Sequence, residues 1–151
     1  MAFYQFERAQ LIEAELGEVW EFISNPANLK RITPEYMGFH ITSKNLPEKM
    51  YQGMIIQYRV SPLLRIPTTW VTEITHLEVN KYFVDEQRVG PYKMWHHQHL
   101  LEPMEQGVKM TDIVSYTPPF GFLGAIANHL IINHKLSGIF DHRTKVLKTI
   151  F

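Results

Sequence analysis

From Phe3 to Glu13 apolar and polar residues alternate weakly, which predicts a strand. Leu16, Val19, Trp20 and Ile23 then fall at i, i+3, i+4 and i+7, one face of a helix. Asn25-Pro26 ends that helix and opens a short second one, with Asn25 as cap and Pro26 at its first position; Thr33-Pro34 closes it. Alternation and turn residues next predict five strands, at about Gly38–Lys44, Met54–Ser61, Thr68–Leu77, Tyr82–Val89 and Met94–Glu102. A further strand runs from Val108 to Tyr116. After Pro118-Pro119 the pattern is that of a long helix, from Gly121 or Leu123 onward. Ile132, Leu136, Ile139, Phe140, Arg143, Leu147 and Ile150 form its apolar stripe.

A strand, two short helices, six strands and one long helix make an α+β fold with a curved antiparallel sheet of about seven strands. One face of such a sheet must be covered. The amphipathic C-terminal helix is long enough to do it, so the sheet is expected to curl round that helix. The space between them is either solid core or a cavity. With no linker, repeat or low-complexity stretch, residues 1–151 are expected to form a single domain.

Composition narrows the function classes. Fifteen basic residues balance fifteen acidic ones, so nothing favours nucleic acid or an anionic membrane surface. Cysteine is absent, which removes disulfides, thiol catalysis and thiolate metal sites. No run approaches the roughly 20 apolar residues of a membrane helix. The opening Met1–Glu7 lacks the basic start and apolar core of a signal peptide, and a cytoplasmic location is expected.

Strand alternation assigns faces to the polar residues. In Met94–Glu102, Trp95, His97, His99 and Leu101 share one face, and the bulk of Trp95 and Leu101 marks it as covered; His96 lies opposite. In Val108–Tyr116 the inward set is Met110, Asp112, Val114 and Tyr116; in Tyr82–Val89 it is Phe83, Asp85, Gln87 and Val89, because the other set carries Glu86 and Arg88. Asp85, Gln87, His97, His99 and Asp112 therefore point inward among aromatics. Such groups need partners. Three readings stay open: a structural network, recognition of a ligand's polar head, and acid–base catalysis by His97 or His99 with a carboxylate such as Asp85. His97-x-His99 with Asp85 or Asp112 also contains metal-type donors, but no established metal spacing accompanies the pair and no metal is assigned. Arg143, in the helix stripe, either snorkels to water or pairs with Asp85 or Asp112. Gly138 either allows close approach of helix and sheet or weakens the helix.

Several motifs resemble those of the START/Bet v 1-like superfamily, which includes polyketide cyclase-like proteins. They are Phe83-Val84-Asp85-Glu86-Gln87, Gly90-Pro91-Tyr92, Trp95-His96-His97-Gln98-His99, Pro119-Phe120-Gly121 and Ile139-Phe140-Asp141-His142-Arg143, and the closest likeness is to a bacterial branch of ligand-binding-type proteins. The resemblance covers the whole chain and implies a helix-grip fold with an apolar cavity. The expectation is then a binding protein or carrier for a small hydrophobic molecule: a lipid, isoprenoid or aromatic polyketide-like compound. Met54, Ile56, Tyr58, Trp70, Trp95, Val114 and Tyr116 would line the pocket, with Gln87, Asp112 and Arg143 joining His97, His99 and Asp85 at the polar end. The rivals are a cyclase- or dehydratase-type enzyme, which rests mainly on analogy, and an interaction module with a filled cavity. No cofactor is expected, and a homodimer is left open. The loops Ser61–Pro67, Gly90–Lys93 and Thr117–Gly124 fall at one end of the sheet and are apolar; they form a cavity mouth, a dimer contact or a cap tucked into the core, and the mouth, with Leu63, Tyr92 and Phe122, is the favoured reading.

Overall fold

The computed structural model describes residues 2–62 and 65–151. Its sheet is antiparallel and seven-stranded, in the order β1-β7-β6-β5-β4-β3-β2. The strands are β1 (Tyr4–Ile12), β2 (His40–Ile41), β3 (Ile55–Val60), β4 (Thr68–Glu78), β5 (Tyr82–Val89), β6 (Met94–Met104) and β7 (Gly107–Thr117). After β1 come α1 (Leu16–Ile23) and two 3₁₀ turns, Pro26–Ile32 and Glu35–Met37. The C-terminal helix runs as α2 (Gly121–Ala127), one π-helical turn (Asn128–Ile132) and α3 (Asn133–Ile150). This is the expected α+β helix-grip arrangement.

The expected second strand shrinks to His40–Ile41. Gly38 ends the preceding turn at φ 58°, in the left-handed region. Beyond Ile41 the ladder stops, because the Thr42 and Ser43 amides both donate to the Gln57 carbonyl and Ser43 Oγ accepts from the Gln57 amide. Gly138 lies exposed on α3, where a Cβ would meet only the Tyr36 hydroxyl at 3.7 Å. Its smallness serves no helix–sheet approach. Gly107, in contrast, is required: at φ 138° its Cβ would sit 2.1 Å from the Ile12 carbonyl oxygen.

The interior divides into two apolar clusters. One is built on α1, with Trp20, Ile23, Met54, Ile74, Phe83 and Met110. The other lies under α3 and is richer in aromatics, with Trp70, Tyr92, Tyr116, Leu136 and Phe140. Register shifts in β4 at Val71/Thr72 and Ile74/His76 bend the sheet where these clusters meet.

Candidate functional site

Side chains leave a cavity of about 150 Å³ beneath α3. Ile56, Tyr58, Trp70, Trp95, Asp85, His97, His99 and Arg143 all reach its wall. Its partly exposed lining residues are Leu29, Thr33, Phe39, Lys135, Ile139 and Arg143 on the helical side and Tyr58, Asp85 and Trp95 on the sheet.

Pairing register builds the polar floor. Asp85 stands directly opposite His97 across β5 and β6, and His99 directly opposite Asp112 across β6 and β7. The hydrogen bonds nevertheless run diagonally: His97 Nε2 to Asp112 Oδ1 at 2.9 Å, and His99 Nε2 to Asp85 Oδ2 at 2.6 Å. Diagonal neighbours on a sheet face are within reach of long side chains. An ionised carboxylate only accepts, so each Nε2 carries its hydrogen and donates. The remaining ring nitrogens also face carboxylates, His99 Nδ1 at 3.1 Å from Asp112 Oδ1 and His97 Nδ1 at 3.5 Å from Asp85 Oδ2. The imidazoles overlap with centroids 3.8 Å apart, and His99 stacks on Phe83 at 4.0 Å. Arg143 resolves to the ion-pair reading: its Nη1 donates to Asp112 Oδ1 at 3.0 Å while the guanidinium lies over the Phe140 ring.

Electrostatics follow from this crowding. Burial would raise both carboxyl groups, but cationic neighbours reverse it: His97, His99 and Arg143 hold Asp85 below the usual carboxylate range, and Arg143 with both histidines holds Asp112 far lower. Burial, then the adjacent His99, depresses His97. Burial alone would depress His99 too, yet Asp112 and Asp85 outweigh it and raise it. The pair therefore holds one proton readily and a second reluctantly. With one imidazolium and Arg143 against two carboxylates, the floor is neutral.

Some expected lining residues serve other ends. Gln87 brackets the β5–β6 turn, its Nε2 donating to the Tyr92 carbonyl at 2.7 Å and its Oε1 accepting from the Tyr92 amide at 3.1 Å. Inward alternation ends there, and Val89 is exposed. The Tyr116 hydroxyl donates to Asn128 Oδ1 at 2.5 Å, tying β7 to the π-helical turn, and burial pushes its phenol up to about 12. Val114 and Met54 are packed in core away from the cavity. Asp112 stands behind the histidines rather than at the wall. Tyr92 does line the cavity, but as a tucked residue and not an exposed tip: it is buried against Trp70, Trp95 and Tyr116, with its backbone clamped by Gln87. Phe120, Phe122 and Leu123 are exposed, while Leu63 lies outside the described residues.

Other lining residues escaped the strand-based reading. Leu29, Thr33 and Met37 come from the two 3₁₀ turns and the link between them at a spacing of four, and Lys135 and Ile139 precede Arg143 at the same spacing on α3. That periodicity was the available signal. Thr72 lies between Trp70 and Ile74 on the inward face of β4 and pairs with the Tyr58 hydroxyl at 3.1 Å. Two buried donors, Trp70 Nε1 and Arg143 Nε, have no hydrogen-bond partner among the described residues.

No protein-family model and no curated protein sequence matches the chain. Solved structures match it in fold. A protein of Arthrobacter aurescens aligns with TM-score 0.71 at 16% identity, over 96% of this chain and 86% of that one. One from Chromobacterium violaceum aligns with TM-score 0.70 at 13% identity, over 96% and 95% of the two chains. Ara h 8.0201 aligns with TM-score 0.62 at 12% identity, over 98% and 99%. The shared architecture is consistent with a Bet v 1-like fold.

Proposed function

We propose that the protein binds a small, mostly apolar molecule in the cavity, with an oxygen-bearing end toward the His97–His99–Asp85–Arg143 floor. The carrying observation is an aromatic-walled space with buried, unpartnered N–H groups on residues of its lining. A buried donor without an acceptor costs roughly 1–3 kcal/mol, which a ligand oxygen or a bound water recovers. Volume bounds the ligand: a cavity near 150 Å³ holds about one aromatic ring. A longer tail would leave through the side lined by Phe39, Lys135 and Ile139. The filled-cavity reading is disfavoured by that open volume.

Native mass spectrometry of the purified protein, followed by solvent extraction, tests this. The expected result is a co-purifying small molecule, or saturable binding of a monocyclic aromatic acid that is weakened at least about tenfold in its methyl ester, a loss of about 1.4 kcal/mol. No bound molecule, and no binding across a panel of such acids, would overturn it.

One observation favours an enzymatic second reading. His97 is on the cavity wall, is held neutral by burial and His99, and has its Nε2–H fixed by Asp112, which leaves Nδ1 as a base. Turnover of a bound ligand that disappears in a folded, ligand-binding His97→Gln protein would favour this reading over simple carriage.

A further inference from the structure

We infer that Asp85, His97 and His99 form a binding site for a first-row divalent cation of the zinc class, with its open position toward the cavity. The sequence offers no metal spacing; the sheet register does, by bringing one carboxylate and two imidazoles from adjacent strands to one point. One donor atom from each lies within 4.8 Å of the others. All three residues reach the cavity wall, and both imidazoles are almost fully buried.

The detailed geometry points the same way. His97 Nε2–H is committed to Asp112, so Nδ1 presents its lone pair to Asp85 Oδ2, 3.5 Å away. Nδ1 makes no hydrogen bond among the described residues. A lone pair facing an anionic oxygen in a buried site is repulsive unless something positive lies between them. Ligands about 2.0–2.2 Å from a tetrahedral zinc ion stand about 3.3–3.6 Å apart. The Asp85–His97 separation already falls there. His99 Nε2, now 2.6 Å from Asp85 Oδ2 through a proton, would draw back by less than about 1 Å as the cation takes that proton's place.

Outer partners for such a site are already present. Ligating histidines ordinarily give their second nitrogen to a carboxylate, which fixes tautomer and orientation. Here Asp112 Oδ1 lies 2.9 Å from His97 Nε2 and 3.1 Å from His99 Nδ1, and Arg143 anchors that oxygen. Two carboxylates and one guanidinium leave one negative charge, so a dication makes the floor singly positive. The open position is thereby suited to an anionic oxygen, whether hydroxide or the acid end of a ligand. Three protein ligands with an open fourth place is the pattern of a reactive rather than a structural zinc site.

The test uses cobalt(II) alone, as a spectroscopic probe, with the full chain freed of metal by chelation. The expected result is saturable visible absorption of tetrahedral type at one ion per chain, displaced by zinc, with X-ray absorption showing two imidazoles and no sulfur. Asp85→Asn and His97→Ala should abolish the band. Asp112→Asn, which removes no ligand, should weaken affinity about 10–100-fold. His96→Gln, on the outer face of β6, should leave it unchanged. If the unaltered protein gives no such band, or if a band survives in folded Asp85→Asn, the site does not exist. The parent spectrum decides the matter even where a variant does not fold.

Discussion

Strand β6 presents histidines to both sides of the sheet, one paired with a neighbouring strand's carboxylate on the outer face and two on the inner. On the outer face His96 Nδ1 lies 3.1 Å from Glu86 Oε1, with both side chains about 30% exposed. On the inner face His97 and His99 meet Asp112 and Asp85 at 2.9 and 2.6 Å, with the histidines about 5% exposed. The chemical types and distances are alike; the surroundings differ. Outside, water solvates whichever partner is lost, and an exposed pair is worth about 0–1 kcal/mol. Inside, each group depends on the others, because removing one leaves a buried charge that no water compensates. The comparison teaches that the inner network holds polar groups in one arrangement beside the cavity, and that its energetic weight appears when it is broken.

The largest expected effect is therefore at Asp112. Its oxygen collects His97, His99 and Arg143. Asp112→Ala should cost about 3–5 kcal/mol of unfolding free energy, read from urea denaturation. A loss below about 1 kcal/mol would mean that the inner pairs behave like the outer one.

Next in size is the pH dependence of the metal-free protein. His97 is depressed by burial and by His99; His99 is raised because Asp112 and Asp85 outweigh its burial. Below the ordinary histidine value of 6.5, the unfolded chain takes up a proton that folded His97 resists, so stability falls as pH falls toward the folded His97 value. Above 6.5, folded His99 keeps a proton that the unfolded chain has released, so its contribution is lost as pH rises through its folded value. The two limbs meet near pH 6.5, where a maximum in melting temperature is expected. His97→Gln should flatten the acid limb and His99→Gln the alkaline one. A further loss is expected below the ordinary carboxylate value of 3.8, as Asp85 and Asp112 protonate in the unfolded chain first. A profile flat from pH 5 to 8 would count against the one-proton account of the floor.

How much of this was legible in the sequence depends on which distance each feature spans. Period-two alternation separated His96 from His97 and His99, because it is a property of one strand. The inward direction of Asp85 and Asp112 followed the same way. Which histidine meets which aspartate was not legible, since the contacts are diagonal and need the register of three strands. Arg143 could be placed on the helix stripe, but its partner depended on how the helix lies across the sheet. Gln87 had the right parity and the wrong task, because hairpin closure claimed its amide two residues beyond Asp85. The wall formed by Leu29, Thr33 and Met37 was missed because the short segment was read for its ends and not for its face.

A smaller effect is expected where that hairpin supports the floor. A Cβ on Gly90 would lie 2.4 Å from Gln87 Oε1. Gly90→Ala should displace the amide and break its two hydrogen bonds to Tyr92, costing about 1–2 kcal/mol. Gln87→Ala should cost a similar amount, and the double variant little more than either alone, since both lesions remove the same contacts. Additive losses in urea melts would mean that the Gly90 effect does not act through Gln87.

The smallest effect should come from the outer pair, which makes it the control for all the others. Glu86 accepts from His96 Nδ1 at 3.1 Å, and Arg88 Nη2 stands 3.8 Å from its other oxygen. All three side chains are between 29% and 48% exposed, so solvent screens each interaction and hydrates what a substitution leaves behind. Glu86→Gln keeps the shape of the side chain and an acceptor oxygen while removing its charge. Its cost should be under about 1 kcal/mol and should shrink further in molar salt, whereas the Asp112→Ala cost should hardly respond to salt, because ions do not enter the buried floor. Unfolding of the two variants at low and high ionic strength measures both differences at once. A Glu86→Gln loss as large and as salt-insensitive as that at Asp112 would show that position on the sheet, rather than removal from water, sets the strength of these pairs.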